Sequence, residues 1–151
     1  MAYLGSQHVK KAQIVHEETA YGALAGIANT DISLVASFPG LTFANDVRIS
    51  GNYAYIADFL SPTADLSILN ISASTTPTLS GQANGLGNLS DVDISAGFLY
   101  ATDGRSGLRI IDVSRPSAPR LRGTYVSGGD ASDVKVAGNL AYVAEIGRAH
   151  V

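Results

Sequence analysis

Between Leu34 and Ala144 the apolar and polar positions of this chain fall into short runs that recur. Leu108-Arg109-Ile110-Ile111-Asp112-Val113-Ser114 is an apolar run with a hydrophilic edge, stopped by Arg115-Pro116-Ser117-Ala118-Pro119. Such a run, halted by prolines, predicts a β-strand with its stop signal attached. Leu66-Ser67-Ile68-Leu69-Asn70-Ile71-Ser72 has the same form 42 residues earlier (108 − 66), with Pro77 in the place of Pro119. Leu34, Leu79 and Leu121 precede Asp46-Val47, Asp91-Val92 and Asp133-Val134 by one fixed interval, and each Asp is followed at a second fixed interval by Tyr55, Tyr100 or Tyr142. The three Asp-Val pairs are offset by 45 and 42 residues (91 − 46, 133 − 91). The extra residues lie between Asp58 and Leu66, in a loop, where insertions are tolerated. Periods of this length mark repeated supersecondary units.

Each unit offers four short strands. The first is Val47-Arg48-Ile49, Val92-Asp93-Ile94 or Val134-Lys135-Val136, apolar on one face and polar on the other. A turn follows at Gly51-Asn52, Ala96-Gly97 or Gly138-Asn139, where Gly or Asn supplies the positive φ that a tight hairpin needs. The second, starting at Tyr53, Phe98 or Leu140, mixes large and small residues on both faces. The third, centred on Ile68-Leu69 or Ile110-Ile111, is apolar both ways, so both of its faces require cover. The fourth, Thr78-Leu79-Ser80 or Arg120-Leu121-Arg122, is short and polar, as an edge strand should be. Four antiparallel strands per ~40–45 residues, with doubly covered middle strands, is the pattern of β-propeller blades. The expected fold is therefore all-β, a partial β-propeller of four-stranded antiparallel blades too few to close a ring. The blade units fall at about 23–38, 46–83, 91–125 and 133–145, after an irregular lead-in, 1–22, that keeps no clean period and is either unrelated or a degenerate repeat.

Leu108-Arg109-Ile110-Ile111-Asp112 resembles the Leu-Val-Ile-Val-Asp motif of the LVIVD repeat family. The resemblance covers about Leu34 to Ala144 and is looser in the first full unit, where Asn70 replaces the motif's Asp. It implies a bacterial or archaeal protein of propeller type, exported or attached to the cell surface, whose remaining blades complete the ring. It implies no particular activity. With no Trp in the chain, the WD type of propeller is disfavoured. Ile146-Gly147-Arg148-Ala149-His150-Val151 stands where a loop and third strand are due, and it matches a translation of a common sequencing adapter. These six residues are expected to be a non-native tail on a truncated chain.

Composition narrows the function classes. A 151-residue chain that is 46% hydrophobic has enough apolar material for a core. A net charge of −3, with lysine only at positions 10, 11 and 135, gives no basic surface for nucleic acid. No apolar run has the ~18 residues of a transmembrane helix, and no signal-peptide segment opens the chain. The absence of cysteine removes disulfides and thiolate metal sites.

Candidate chemistry rests on carboxylates. Asp46, Asp91 and Asp133 open the first strand of successive units, which by resemblance to propellers lines the central channel, and Asp58 and Asp103 lie in nearby loops. Together they could ring a channel mouth that takes a cation or polar ligand, with calcium the cofactor to weigh. Against this, and favoured here, one identical residue per repeat usually serves the repeat, by accepting backbone N–H groups of the preceding loop and locking blade to blade. Asp91-Val92-Asp93 puts two carboxylates on one strand face without a calcium loop around them. Tyr55, Tyr100 and Tyr142 are expected in the core. His8, His16 and His150 lack metal-ligand spacing, and the repeats contain no histidine for a Ser/His/Asp triad. Gly85-Leu86-Gly87-Asn88-Leu89-Ser90 is a turn between strands. No catalytic residue and no metal ligand set is assigned. The expected function is a non-catalytic scaffold or binding module, presenting loops 38–46, 58–65, 83–91, 103–107 and 125–133 on one rim to a protein or glycan. The alternative is a fragment of a propeller enzyme with a metal at its acidic channel mouth. Closure by oligomerisation is a third reading.

Overall fold

The computed structural model describes residues 11–17, 32–58, 65–126 and 128–147. Most of the lead-in and residues 148–151 of the expected tail lie outside them. The described residues form twelve strands and no helix. The first two are β1 (Lys11–Glu17) and β2 (Ile32–Pro39), and the first full unit follows as β3 (Ala44–Ser50), β4 (Tyr53–Asp58), β5 (Leu66–Asn70) and β6 (Thr78–Ala83). The second unit is β7 (Val92–Ser95), β8 (Phe98–Thr102), β9 (Leu108–Asp112) and β10 (Arg120–Tyr125). The chain continues in β11 (Asp130–Ala137) and β12 (Leu140–Ile146). They make two four-stranded antiparallel sheets, β3-β4-β5-β6 and β7-β8-β9-β10, and two two-stranded sheets, β1-β2 and β11-β12. This is the all-β, open-ended partial propeller that the sequence pattern predicts, with no closed ring.

Turn chemistry fixes each hairpin. Gly51 and Gly138 take positive φ (56° and 60°) at the first turn position, and in the second unit Ala96 (φ 50°) and Gly97 (φ 79°) both do. Ala96 is the one non-glycine in the left-handed region among the described residues. Gly107 has φ +82°, and a Cβ there would run into the Tyr125 carbonyl, so this position ahead of β9 requires glycine twice over.

The core explains why the middle strands are apolar on both sides. Tyr55 and Ala57 of β4 and Leu66 and Ile68 of β5 pack against Val92, Leu99, Ala101 and Ile111 of the next sheet. The alternate residues Ala54, Ile56 and Leu69 pack on the opposite face with Leu41 and Phe38. Ile56, Ile68, Leu99 and Ile111 are 0–1% exposed. Burying each such side chain contributes roughly 1.5–3 kcal/mol. Adjacent sheets therefore stack face to face, and the outer strands β6 and β10 stay exposed as edges.

One core assignment changes. Tyr55 is buried and Tyr100 half-buried, but Tyr142 is 58% exposed. Its sheet, β11-β12, has only two strands, so nothing in the described residues covers β12. Exposure at the front is of the same kind, with Val47 and Ile49 of β3 at 48% and 66%.

Candidate functional site

The inner strands β3, β7 and β11 stand side by side, and β3 and β11 share an irregularity at their aspartates. Between Ala44 and Asp46 of β3, and between Ala131 and Asp133 of β11, the pairing register slips by one residue. A bulge at this place turns the following side chain out of its own sheet. Asp46 Oδ2 accepts the Val92 N–H of the next repeat at 3.0 Å, and Asp91 Oδ2 accepts the Val134 N–H at 2.9 Å. Asp93 Oδ2 accepts the Val136 N–H at 2.7 Å. Inner strands have a sheet edge with no strand beside it, whose N–H groups need acceptors. The carboxylates of the preceding repeat supply them.

Charge is balanced along the same row. Arg48 contacts Asp46 at 3.1 Å, Asp91 at 3.6 Å and Asp93 at 3.6 Å, while Lys135 reaches Asp91 at 3.4 Å and Asp133 at 3.2 Å. Despite these two cations, burial and the neighbouring carboxylates Asp133 and Asp46 push Asp91 up to about 6. Asp133 is shifted the other way, held down first by its hydrogen bond with Asp91 and then by Lys135. The structure brings Asp46, Asp91 and Asp133 into one row.

Asp58 and Asp103 sit apart from that row and beneath the loops, 1% and 7% exposed. Asp58 accepts the N–H groups of Thr42 and Phe43 at 2.9 and 2.5 Å. Asp103 accepts the Asn88 N–H at 2.9 Å and pairs with Arg109 at 2.8 Å. Both thus hold the loop preceding their own unit. Holding the preceding loop, expected of the first-strand aspartates, therefore falls to these two, while Asp46 and Asp91 lock repeat to repeat as expected, through the following first strand. Asp65, not among the expected site residues, takes the Leu86 and Gly87 N–H groups at 2.6 and 3.2 Å. Its place directly before Leu66 was the available signal. Gly87 (φ +92°) also lies so close to the Asp103 carboxylate that a Cβ would overlap it. The Leu86, Gly87 and Asn88 N–H groups of this loop are thus satisfied by carboxylates of two repeats.

A cleft of about 450 Å³ opens on the loop side between the second and third repeats. Asn88, Ser90, Arg105, Ser106, Asp130 and Ser132 line it, with Asp103 at its wall. The backbone bond from the Ala131 N–H to the Gly104 carbonyl, 3.0 Å, closes its floor. Of these residues only Asp103 stands among the ligand candidates expected from the sequence, where Asn88 and Ser90 read as part of a turn, because polar loop residues carry no period. Among the described residues no three or more His, Asp or Glu side chains gather as a metal site would require.

No curated protein and no solved structure matches the chain. The LVIVD repeat matches three times, at residues 43–84, 86–127 and 128–147, together more than half of the sequence. These boundaries coincide with the two complete sheets and with β11-β12, and the motif's apolar run is the doubly covered third strand. The chain belongs to the LVIVD repeat family.

Proposed function

We propose that this chain is a non-catalytic propeller repeat module that offers a binding surface within an exported or cell-surface protein. One observation carries the reading. The repeated carboxylates, the chain's best candidates for chemistry, are engaged with backbone N–H groups and with Arg48, Arg109 and Lys135. What remains open on the loop rim is a cleft of mixed polar and apolar surface whose volume lies in the usual range of ligand pockets, ~300–1,000 Å³. Its serine hydroxyls, Asn88 amide, Arg105 and Asp130 combine donors and acceptors beside the apolar surface at Gly104 and Ala131, a mixture that suits a glycan. The surface location follows the habit of the family, and detection of the parent protein on intact cells would support it.

A glycan array probed with the purified chain, followed by calorimetry of any hit, tests the binding surface. Saturable binding should be lost in Arg105→Ala and Asp130→Ala while the melting temperature holds. Binding that survives both substitutions, or no binding to any glycan, would count against this surface.

A second reading, a metal-dependent enzyme fragment, draws on the row of Asp46, Asp91 and Asp133 with Asp91 raised to about 6. Calorimetric titration with calcium and zinc separates the two. Stoichiometric, tight heat abolished by Asp91→Asn favours the enzyme, and its absence favours the scaffold.

A further inference from the structure

The cleft between the second and third repeats lies where the repeat rule breaks. Asn88 and Ser90 on its second-repeat side recur 42 residues on as Asp130 and Ser132 on its third-repeat side (130 − 88, 132 − 90). The corresponding first-repeat residues, 45 positions earlier, are Phe43 and Asn45 (88 − 45, 90 − 45). A position that changes from Phe to Asn to Asp has no fixed task in the blade, unlike the position of Asp46, Asp91 and Asp133. Asp130 is also the one described aspartate whose carboxylate has neither a hydrogen bond nor an ion pair among the described residues. Arg105, in the loop between β8 and β9, makes no ion pair among them either, whereas Arg48, Arg109 and Arg122 all do. One unpaired charge on a surface is ordinary. Here two of opposite sign line one cleft and are not paired with each other. The backbone keeps them neighbours, since the Ala131 N–H is bonded to the Gly104 carbonyl at 3.0 Å. A Cβ on Gly104 would stand 3.0 Å from Asp130 Oδ1, so glycine at this position, with φ +44°, makes room for the carboxylate beside Arg105.

Resting on the reading of this cleft as a glycan site, we infer that its ligand is zwitterionic, a sugar chain with an amino group and a carboxylate on neighbouring units. Arg105 takes the carboxylate, to which a planar guanidinium offers two parallel N–H donors. Asp130 takes the ammonium. Seating a sugar expels water from both side chains, and a desolvated charge without a partner is costly. A neutral sugar answers neither charge. A purely acidic one answers Arg105 and is repelled by Asp130, and a purely basic one meets the reverse. A ligand with both signs leaves neither charge unmatched, because Asp103 in the cleft wall is already paired with Arg109 at 2.8 Å. The side chains of Asn88, Ser90 and Ser132 are left for ring hydroxyls. Their doubling, one set from each repeat, fits a ligand of two successive sugar units.

The test is calorimetry of the whole chain with tetrasaccharides of alternating glucosamine and glucuronate, in mildly acidic buffer where the sugar amine is charged. Three forms are compared: unmodified, N-acetylated and carboxyl-reduced. The unmodified form should bind about tenfold or more tighter than either of the others. Changing the sugar instead of the protein keeps folding out of this comparison. In Asp130→Asn the penalty for N-acetylation should disappear while that for carboxyl reduction stays, and Arg105→Gln should show the reverse. Equal affinity for the three forms, tightest binding of a singly charged form, or a penalty that survives its own substitution would overturn the inference and leave the glycan site standing. So would a glycan array whose hits are all neutral, with none of the three forms bound. Absence of binding to any glycan would remove the site and the inference together.

Discussion

Asp112 closes the motif that gives the family its name, and its bonds show what that position needs. One carboxylate oxygen accepts the Ser114 N–H at 3.0 Å and the Ser114 hydroxyl at 2.6 Å, and the other pairs with Arg122 at 2.7 Å. In the first repeat Asn70 accepts the Ser72 N–H at 2.9 Å in the same way. The common requirement is a side-chain oxygen that bonds the backbone two residues on and starts the turn out of the third strand. The departure from Asp at Asn70, visible in the sequence, therefore costs the turn nothing. The Ser114 hydroxyl, followed by Arg122, holds Asp112 well below the usual carboxylate range. A lowered group adds stability above its unfolded pKa, near 3.8, that disappears as pH falls. Asp112→Asn should keep most of the melting temperature at neutral pH and flatten its decline in acid. Asp112→Ala should lower it at neutral pH as well, and thermal melts from pH 2 to 7 measure both. Ala96 is a second residue-scale case, an L-residue with φ 50° in a hairpin turn followed by Gly97. Since the left-handed region costs an ordinary residue roughly 1–2 kcal/mol, Ala96→Asn, which makes an Asn-Gly turn, should stabilise by about 0.5–1 kcal/mol in urea unfolding.

Among the elements, the first strand of each repeat has the most specific task. In the first and second repeats its Asp, Asp46 or Asp91, reaches the next repeat, and the partner is an N–H on the open edge of the next first strand. The recurrence of this Asp was plain in the sequence, but its direction was not. A spacing tells which residues are equivalent and is silent on which neighbour they face. Asp91, raised to about 6 chiefly by burial, makes one such junction respond to pH. A raised carboxylate adds stability that is complete below the unfolded pKa near 3.8 and is lost as pH rises through about 6. Asp91→Asn keeps the acceptor for the Val134 N–H and removes the titration. Its melting temperature should show less decline between pH 4 and 7 than the wild type's. An equal slope in both proteins would contradict this assignment. Asp58→Ala should cost about 1–3 kcal/mol in urea unfolding, since it leaves the Thr42 and Phe43 N–H groups without this acceptor in a buried place. β1 was the strand hardest to foresee. Ile14 and Val15 are adjacent apolar residues among Lys11, Gln13 and His16, so neither period two nor a continuous apolar run stands out. Its register with β2 slips where β5 slips against β6 and β9 against β10, an equivalence that becomes visible only through the strand partner.

Taken whole, the molecule is a stack of sheets whose cohesion lies between repeats as much as within them. Tyr55, Ile68, Leu99 and Ile111 belong to one cluster shared by two sheets. This was the part most legible in the sequence, because a strand apolar on both faces has no stable place except between two layers. The exposed ends were legible in number of strands, but Tyr142 was misplaced, since burial of a repeat position depends on a neighbour that the repeat itself does not encode. Leu99→Ala, at a site 0% exposed between two sheets, should cost about 2–5 kcal/mol and broaden the unfolding of both complete repeats together. The most direct test of face-to-face stacking is hydrogen exchange at the Val92 and Val134 amides, followed by NMR. Each N–H lies on an inner strand and is bonded across the junction, to Asp46 and to Asp91. The account expects both to exchange as slowly as the amides of β4 and β8, and Val92 to lose its protection selectively in Asp46→Ala. Exchange at the rate of an open strand edge in the unmodified chain, with β4 and β8 still protected, would mean that the repeats do not stack as described.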